Sequence, residues 1–271
     1  MQVYDITDKE NAFNTLLNLT DANELVLNHY IHEAEMYPCD LMEKFDTMVQ
    51  NFNIHPTFTL DNLVCNLQHI TTSANGCKNI IEHGITDLRT TYNDTSSELR
   101  QFLDEHNVRI DILGERIYYN GEDLGSIAYT NENNSSDFQS KIHKRHTIGY
   151  KFYNDFCVCG FFSFNHNVLY GGNVYLQPEI LFNISELIRK RLDYIWRDTH
   201  KCYVVKFRVP YKNLVRDIEN EKDVLYEAFR NATYSSDDDK IALLKNNISV
   251  QPKDIISIER FNYKKAILSI L

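Results

Sequence analysis

Leu67-Gln-His-Ile-Thr-Thr-Ser73, with the following Asn75-Gly-Cys-Lys-Asn-Ile-Ile-Glu-His-Gly84 and Ile85, decides how the rest of the chain is read. Leu67 and Ile70 supply the apolar positions of a short buried strand, and Thr71 to Ser73 place hydroxyls where that strand opens out. Ser73 or Asn75 is suited to cap the next segment, because a short side-chain oxygen accepts from free backbone N–H groups at a helix start. Cys77, Ile80 and Ile81 recur at helical spacing, and Gly84 ends the helix because glycine tolerates positive φ. Ile85 and Leu88 return to the core. A lone histidine at a strand end, such as His69, has an ordinary reading as a hydrogen-bonded core residue and a sharper one as a ligand-binding group.

At 271 residues and 43% hydrophobic, the chain is long enough to bury a sizeable core. No run approaches the roughly 20 apolar residues that cross a bilayer, and residues 1–8 lack the basic and apolar regions of a signal peptide. A soluble, cytoplasmic protein is expected. The net charge of −10 argues against non-specific duplex binding, which is driven by phosphate neutralisation, and leaves room for a local basic groove. Lys141-Ile-His-Lys-Arg-His146 is the concentrated basic cluster, read as a solvated loop, with phosphate or RNA contact as its functional alternative. Six cysteines lack metal-ligand spacing and are read as reduced core residues, with Cys157 and Cys159 on one face of a strand.

Before the central stretch, three helices are expected between residues 10 and 55. Asp8 caps the first, the Asp21–Glu24 stretch starts the second, Pro38 breaks it, and Asp40 caps the third. After it, Thr95 or Ser96 is expected to cap a helix carrying Leu99, Phe102 and Leu103. Val108 to Ile112 and Arg116 to Tyr119 alternate as a hairpin, and Asn120-Gly121 is a further turn signal. Residues 131–140 read as an exposed polar loop. Periodicity leaves 150–164 open between a helix and strands.

Tyr170-Gly-Gly-Asn-Val-Tyr-Leu-Gln-Pro-Glu-Ile-Leu181 reads as a glycine-freed turn, a short strand over 174–176, and a helix opened by Pro178-Glu179. Lys201 to Pro210 is the clearest strand of the chain. The acidic residues 237–239 are read as a solvated loop and helix cap rather than a metal site.

These motifs, in this order, resemble the ADP-ribosyltransferase superfamily, which includes poly(ADP-ribose) polymerases, diphtheria-type toxins, nucleic-acid-modifying toxins and tRNA 2′-phosphotransferases. His69-Ile-Thr71 with Ile80-Ile-Glu-His-Gly84-Ile85 is similar to the family's first strand and helix. Gly172 and Tyr175 match its glycine and ring-stacking tyrosine, with Tyr170 as an alternative ring. Lys201 to Pro210 is similar to its central strand, and residues 246–258 to its closing pattern. There a glutamate opposes the positive charge that develops as nicotinamide leaves. This chain has Asn246 or Asn247 in that register.

The resemblance implies an α+β fold: a split, mainly antiparallel ADP-ribosyltransferase-like sheet core over 60–271, preceded by a helical N-terminal extension over 1–59. It implies NAD as substrate, with His69, Thr71 and Thr72 holding the nicotinamide ribose end. Tyr170, Gly172, Tyr175 and Asn247 would join them in the NAD site, and His69, Tyr175 and Glu179 would form the catalytic set, Glu179 replacing the family's acid. The expected setting is a bacterial toxin or phage-defence effector. Its acceptor would be a nucleic acid or a protein, and a protein partner such as an antitoxin would accompany it. The alternatives are a non-catalytic interaction protein on the same fold and an RNA-directed, phosphotransferase-like enzyme using the Lys141–His146 cluster.

Overall fold

The computed structural model describes residues 2–37, 39–129, 140–163, 173–215, 220–234 and 240–262. Strand β1 (Gln2–Tyr4) is followed by helices α1 (Lys9–Leu19), α2 (Glu24–Met36) and α3 (Leu41–Phe52). Asp8, Asn23 and Asp40 cap the three helices by accepting from backbone N–H groups of their first turns. Next come β2 (Leu63–Ser73), α4 (Lys78–His83), α5 (Leu88–Asn93) and α6 (Glu98–Glu105), then β3 (Val108–Asp111), β4 (Arg116–Tyr119) and β5 (Glu122–Ser126). The chain continues through α7 (Lys141–Tyr153), β6 (Cys159–Ser163), α8 (Glu179–Ile188) and α9 (Leu192–Thr199). Last are β7 (Lys201–Pro210), α10 (Glu221–Thr233), β8 (Lys240–Leu243) and β9 (Ile255–Arg260).

The fold is mixed α and β, with two sheets. The larger runs β8-β6-β2-β7-β9, antiparallel throughout, with β1 added parallel to the first residues of β2. The smaller is the β3-β4-β5 meander, whose second turn uses Asn120 and Gly121 at positive φ as expected. β2 and β7 pair from Val64↔Pro210 to Ser73↔Lys201 and form the spine of the larger sheet.

Alternation on that spine divides the interior. Leu63, Cys65, Leu67, Val205, Phe207 and Val209 pack on one face with Leu16, Leu19, Leu27, Phe45 and Phe229 from the surrounding helices. The first 59 residues therefore share a core with the sheet and also give it a strand, β1, which periodicity did not announce. A second core joins α6, α7, α8, α9 and the meander around Phe102, Ile117, Phe152, Ile184 and Trp196. A small third cluster of Ile70, Phe161, Tyr175 and Cys202 lies on the opposite face of β2 from Leu67.

Several local expectations change. Residues 141–146 are the start of α7 rather than a loop, because Ser140 caps the helix and His146, Ile148 and Phe152 form its buried face. Over 150–163 the open stretch holds the end of α7 and, after a connection, β6; residue 164 lies outside the described residues. Residues 174–176 form a turn, not a strand. Ser97, not Thr95 or Ser96, caps α6, and Asp87 starts an additional helix, α5. Cys39 is exposed, whereas the other five cysteines are buried or half-buried, and all six are free. Residues 131–139 and 235–239 lie outside the described residues. No helix among those described is long and apolar enough to cross a membrane.

Candidate active site

Where β2 reaches its last residues, its ladder with β6 has ended and its side chains border a cavity of about 1050 Å3. The walls come from residues 69–73 of β2, α4, the starts of α5 and α6, the end of α7, residues 156–159, Glu179 and Trp196. That volume lies just above the usual range for small-molecule sites, about 300–1,000 Å3.

His69 is fixed before any ligand arrives. Its Nδ1 stands 2.8 Å from the carbonyl oxygen of Cys159. A carbonyl only accepts, so Nδ1 carries the hydrogen and Nε2 keeps its lone pair in the neutral ring. Burial pushes this histidine below its ordinary pKa, outweighing the opposing bond to Cys159, so the ring is neutral at neutral pH. Thr71, two residues on, shares its face of the strand and also lines the cavity. Thr72 is on the other face, where its hydroxyl accepts from Trp196 Nε1 at 2.8 Å.

The turn after β2 is locked by side chains. Ser73 Oγ accepts from the N–H of Cys77 at 2.8 Å, and Asn75 Oδ1 accepts from that of Lys78 at 3.0 Å. Both residues expected as caps thus act together, and Cys77 itself stands at the cap position with φ of 63°. Glu98 Oε1 closes the turn by accepting from the N–H groups of Ala74 and Asn75 at 3.1 and 3.0 Å. At the far end of α4, Gly84 has φ of +84°, and a Cβ there would stand 1.9 Å from the Val250 oxygen. Ile85 and Val250 exchange two backbone hydrogen bonds beside it.

Glu179 begins α8, where the positive end of the helix favours a carboxylate. Its Oε2 is 2.7 Å from Lys151 Nζ, and Asp155 Oδ2 is 2.5 Å from the same nitrogen. Burial opposes the charge on Lys151, yet its bonds to Asp155 and Glu179 prevail and hold it above the ordinary lysine value. Two carboxylates around one ammonium leave a net negative charge on the cavity wall. The thiols of Cys157 and Cys159 beside them are raised by burial, Cys159 to about 12, so they stand as thiols.

The remaining expected residues do not join His69. Tyr175 is 3% exposed and packs with Ile70, Phe161 and Cys202; Ile70 and Phe161 line the cavity, and Tyr175 itself does not. It borders a separate hollow, and the turn that replaces the expected strand carries it there. Asn246 and Asn247 are exposed in a turn, Asn247 with φ of 64°, and line neither cavity. Tyr170 and Gly172 lie outside the described residues. The cavity thus brings together His69, Thr71, Thr72 and Glu179. It adds Glu98, Lys151, Asp155 and Trp196, which the motifs did not name. The Lys151–Asp155 spacing of four, across the end of α7, was a legible signal for one of these pairs. Among the described residues, no group of three His, Cys, Asp or Glu side chains is placed to hold a metal ion.

The arrangement offers hydroxyls, a neutral imidazole acceptor and a net negative carboxylate group around an apolar lining. It suits a hydroxyl-rich ligand that carries or develops positive charge. No family model matches the chain, and no match is found among the curated proteins or the solved structures.

Proposed function

We propose that the chain consumes NAD in the cavity around His69, as an ADP-ribosyltransferase on an α+β core of that type. The observation that carries this reading is the meeting of His69 and Thr71, from one face of β2, with the Glu179–Lys151–Asp155 group in a single cavity. His69 Nε2 accepts from a ribose hydroxyl, and Thr71 bonds at the same end of the substrate. In the reaction the bond from ribose C1′ to the nicotinamide nitrogen breaks, and its electron pair leaves on nicotinamide, which becomes neutral. Positive charge develops at C1′ and is opposed by the carboxylates. A lone pair of the acceptor forms the new bond to C1′, and the acceptor's proton passes to solvent. Phe156, Phe161 and Trp196 give the cavity its aromatic side chains. The ring-stacking role implied for Tyr175 is not part of this site.

The test is nicotinamide release by the purified full chain, with and without cell lysate, for the wild type and His69→Ala. Release by the wild type that is lost in a variant with an unchanged circular dichroism spectrum is expected. Equal release by both would remove the site from His69.

One observation favours a second reading, a protein that binds NAD or a partner without turnover. Glu179 is already paired with Lys151, and Asn246 and Asn247 lie outside the cavity. An NAD-induced thermal shift with no nicotinamide release under any condition decides for it. The reading that places RNA on the Lys141–His146 cluster loses ground. Lys144 pairs with Glu186 at 3.4 Å, and Arg145 donates to the carbonyls of Leu124 and Ser126 at 2.9 and 3.0 Å.

A further inference from the structure

Beside the cavity around His69 lies the hollow that Tyr175 borders, about 460 Å3, walled by Arg197, Asp198, His200, Lys201, Arg260 and Phe261 among others. The two spaces are neighbours. Trp196 lines the cavity around His69, and His200, stacked on it with ring centroids 3.4 Å apart, lines the hollow. β7 starts between them, since Lys201 pairs with Ser73 and Cys202 with Thr72.

The hollow is basic in a chain of net charge −10. Lys201 and Arg260 are exposed, and neither makes an ion pair among the described residues. They are brought together by the sheet, Arg260 opposite Tyr203 on β9 and Lys201 two residues earlier on β7. Arg197 is held in place by Gln177 Oε1, 2.6 Å from its Nε, and it shares the buried Asp193 with Arg191. The exposed carboxylate of Asp198 is the opposing charge on the wall. Counting Arg191 and Asp193, four cations stand against two carboxylates.

An aromatic platform adjoins these cations. Tyr194 is half exposed, and the guanidinium groups of Arg191 and Arg197 lie 3.8 and 4.5 Å from its ring centroid. Tyr194 and Arg197 share one side of α9, and Arg191, at the cap position before it, lies three residues ahead of Tyr194. Cations that track a phosphodiester backbone, interleaved with aromatic rings and guanidinium planes that accept bases, are the combination that binds single strands. A duplex, whose binding leans on many phosphate contacts, is poorly served by so few cations on an acidic protein.

We propose that this hollow and Tyr194 bind a single-stranded nucleic acid. Such a strand would then be the acceptor for the proposed ADP-ribose transfer, and this second step alone rests on that reading. His200 takes no part as a cation, because burial lowers its pKa and its ring is neutral. The strand's phosphates bind Lys201, Arg260 and Arg197, and its bases stack on the Tyr194 platform.

The experiment is fluorescence anisotropy of a labelled single-stranded RNA of about twelve nucleotides, within the site size of such surfaces. It uses the full chain without NAD, across roughly 50 to 200 mM salt. Binding by the wild type is expected, and the Lys201→Gln/Arg260→Gln double variant should weaken it about tenfold or more. Loss of two phosphate contacts should also lower the slope of log affinity against log salt by roughly 1.4. Tyr194→Ala should weaken binding about tenfold without changing that slope. His69→Ala should leave it unchanged. No binding at the lowest salt, or equal affinity and slope in the wild type and the folded double variant, overturns the proposal. Displacement by inorganic phosphate at the same concentration as by the oligonucleotide also overturns it, since the site would then be one for a simple anion. If RNA binds through these residues and nicotinamide release is absent, the binding site stands and the acceptor role falls.

Discussion

The imidazole of His69 and the carbonyl of Cys159, 2.8 Å apart, tie β2 to the start of β6 in the wall of the larger cavity. Because the ring is held neutral by burial, its native pKa lies below the value of about 6.5 that it has in an unfolded chain. Between those two values the unfolded chain binds the extra proton, so stability rises with pH there. The contribution is complete above about pH 6.5 and is lost as pH falls through the native value. Urea unfolding at about pH 7.5 and about pH 5.5 should show the wild type weaker at the lower pH, with a smaller difference in His69→Gln. A remainder is expected from His106 and His200, which burial also lowers. An equal difference in wild type and variant would mean that His69 titrates normally.

Lys151 is the counter-ion that lets Asp155 and Glu179 face one space, and its removal should expose that dependence. Lys151→Met leaves two partly exposed carboxylates without their shared ammonium, which should cost about 1–2 kcal/mol at neutral pH. The deficit should shrink in high salt, which screens the repulsion between the two carboxylates. A deficit independent of salt would instead mark lost packing of the lysine stem. On the proposed function, Glu179→Gln should cut nicotinamide release at least about tenfold while keeping the NAD-induced thermal shift.

Capping and alternation make much of the fold legible in the sequence. Asp8, Asp40 and Pro178 mark helix starts through local chemistry, and the 201–210 strand alternates cleanly from Val205 to Pro210. β1 was hidden because three residues hold too little pattern; its place comes from pairing with Leu63 to Cys65, far along the chain. The first half of the candidate site was legible because His69 and Thr71 share a strand face by simple alternation. The second half was not. Tyr175 looks like a site residue by its spacing from glycine and proline, yet the turn at 174–176 turns it onto the face of Ile70. Lys151 and Glu98 come to the cavity from helices whose placement depends on the second core, which no local pattern specifies.

Trp196 is the sole tryptophan of the chain and lines the cavity, so intrinsic fluorescence is a direct reporter of that space. Its Nε1–H donates to Thr72 Oγ1, and the side chain is 1% exposed. Thr72→Val removes the acceptor while keeping the shape, leaving a buried indole N–H unpaired at a cost of about 1–3 kcal/mol. Its emission should shift to the blue relative to the wild type. NAD should quench the wild-type signal if it enters beside Trp196. A thermal shift with NAD and no change in tryptophan emission would move the ligand to another part of the surface.

Two glycines of the same segment separate backbone strain from steric exclusion. Gly76 and Gly84 both have positive φ, +75° and +84°, but a Cβ at Gly76 meets nothing within 4 Å, whereas one at Gly84 stands 1.9 Å from the Val250 oxygen. Gly76→Ala should therefore cost only the conformational penalty, about 1 kcal/mol. Gly84→Ala must also push the 250 strand segment away from Ile85, breaking the two hydrogen bonds that join them. A total loss of at least about 3 kcal/mol in urea unfolding is expected. Because α4 and Ile85 form part of the cavity wall, the Gly84 variant should also lose the response to NAD, while the Gly76 variant keeps it. Equal penalties in the two variants would show that the Gly84 backbone shifts freely, and that the close approach to Val250 does not position the wall.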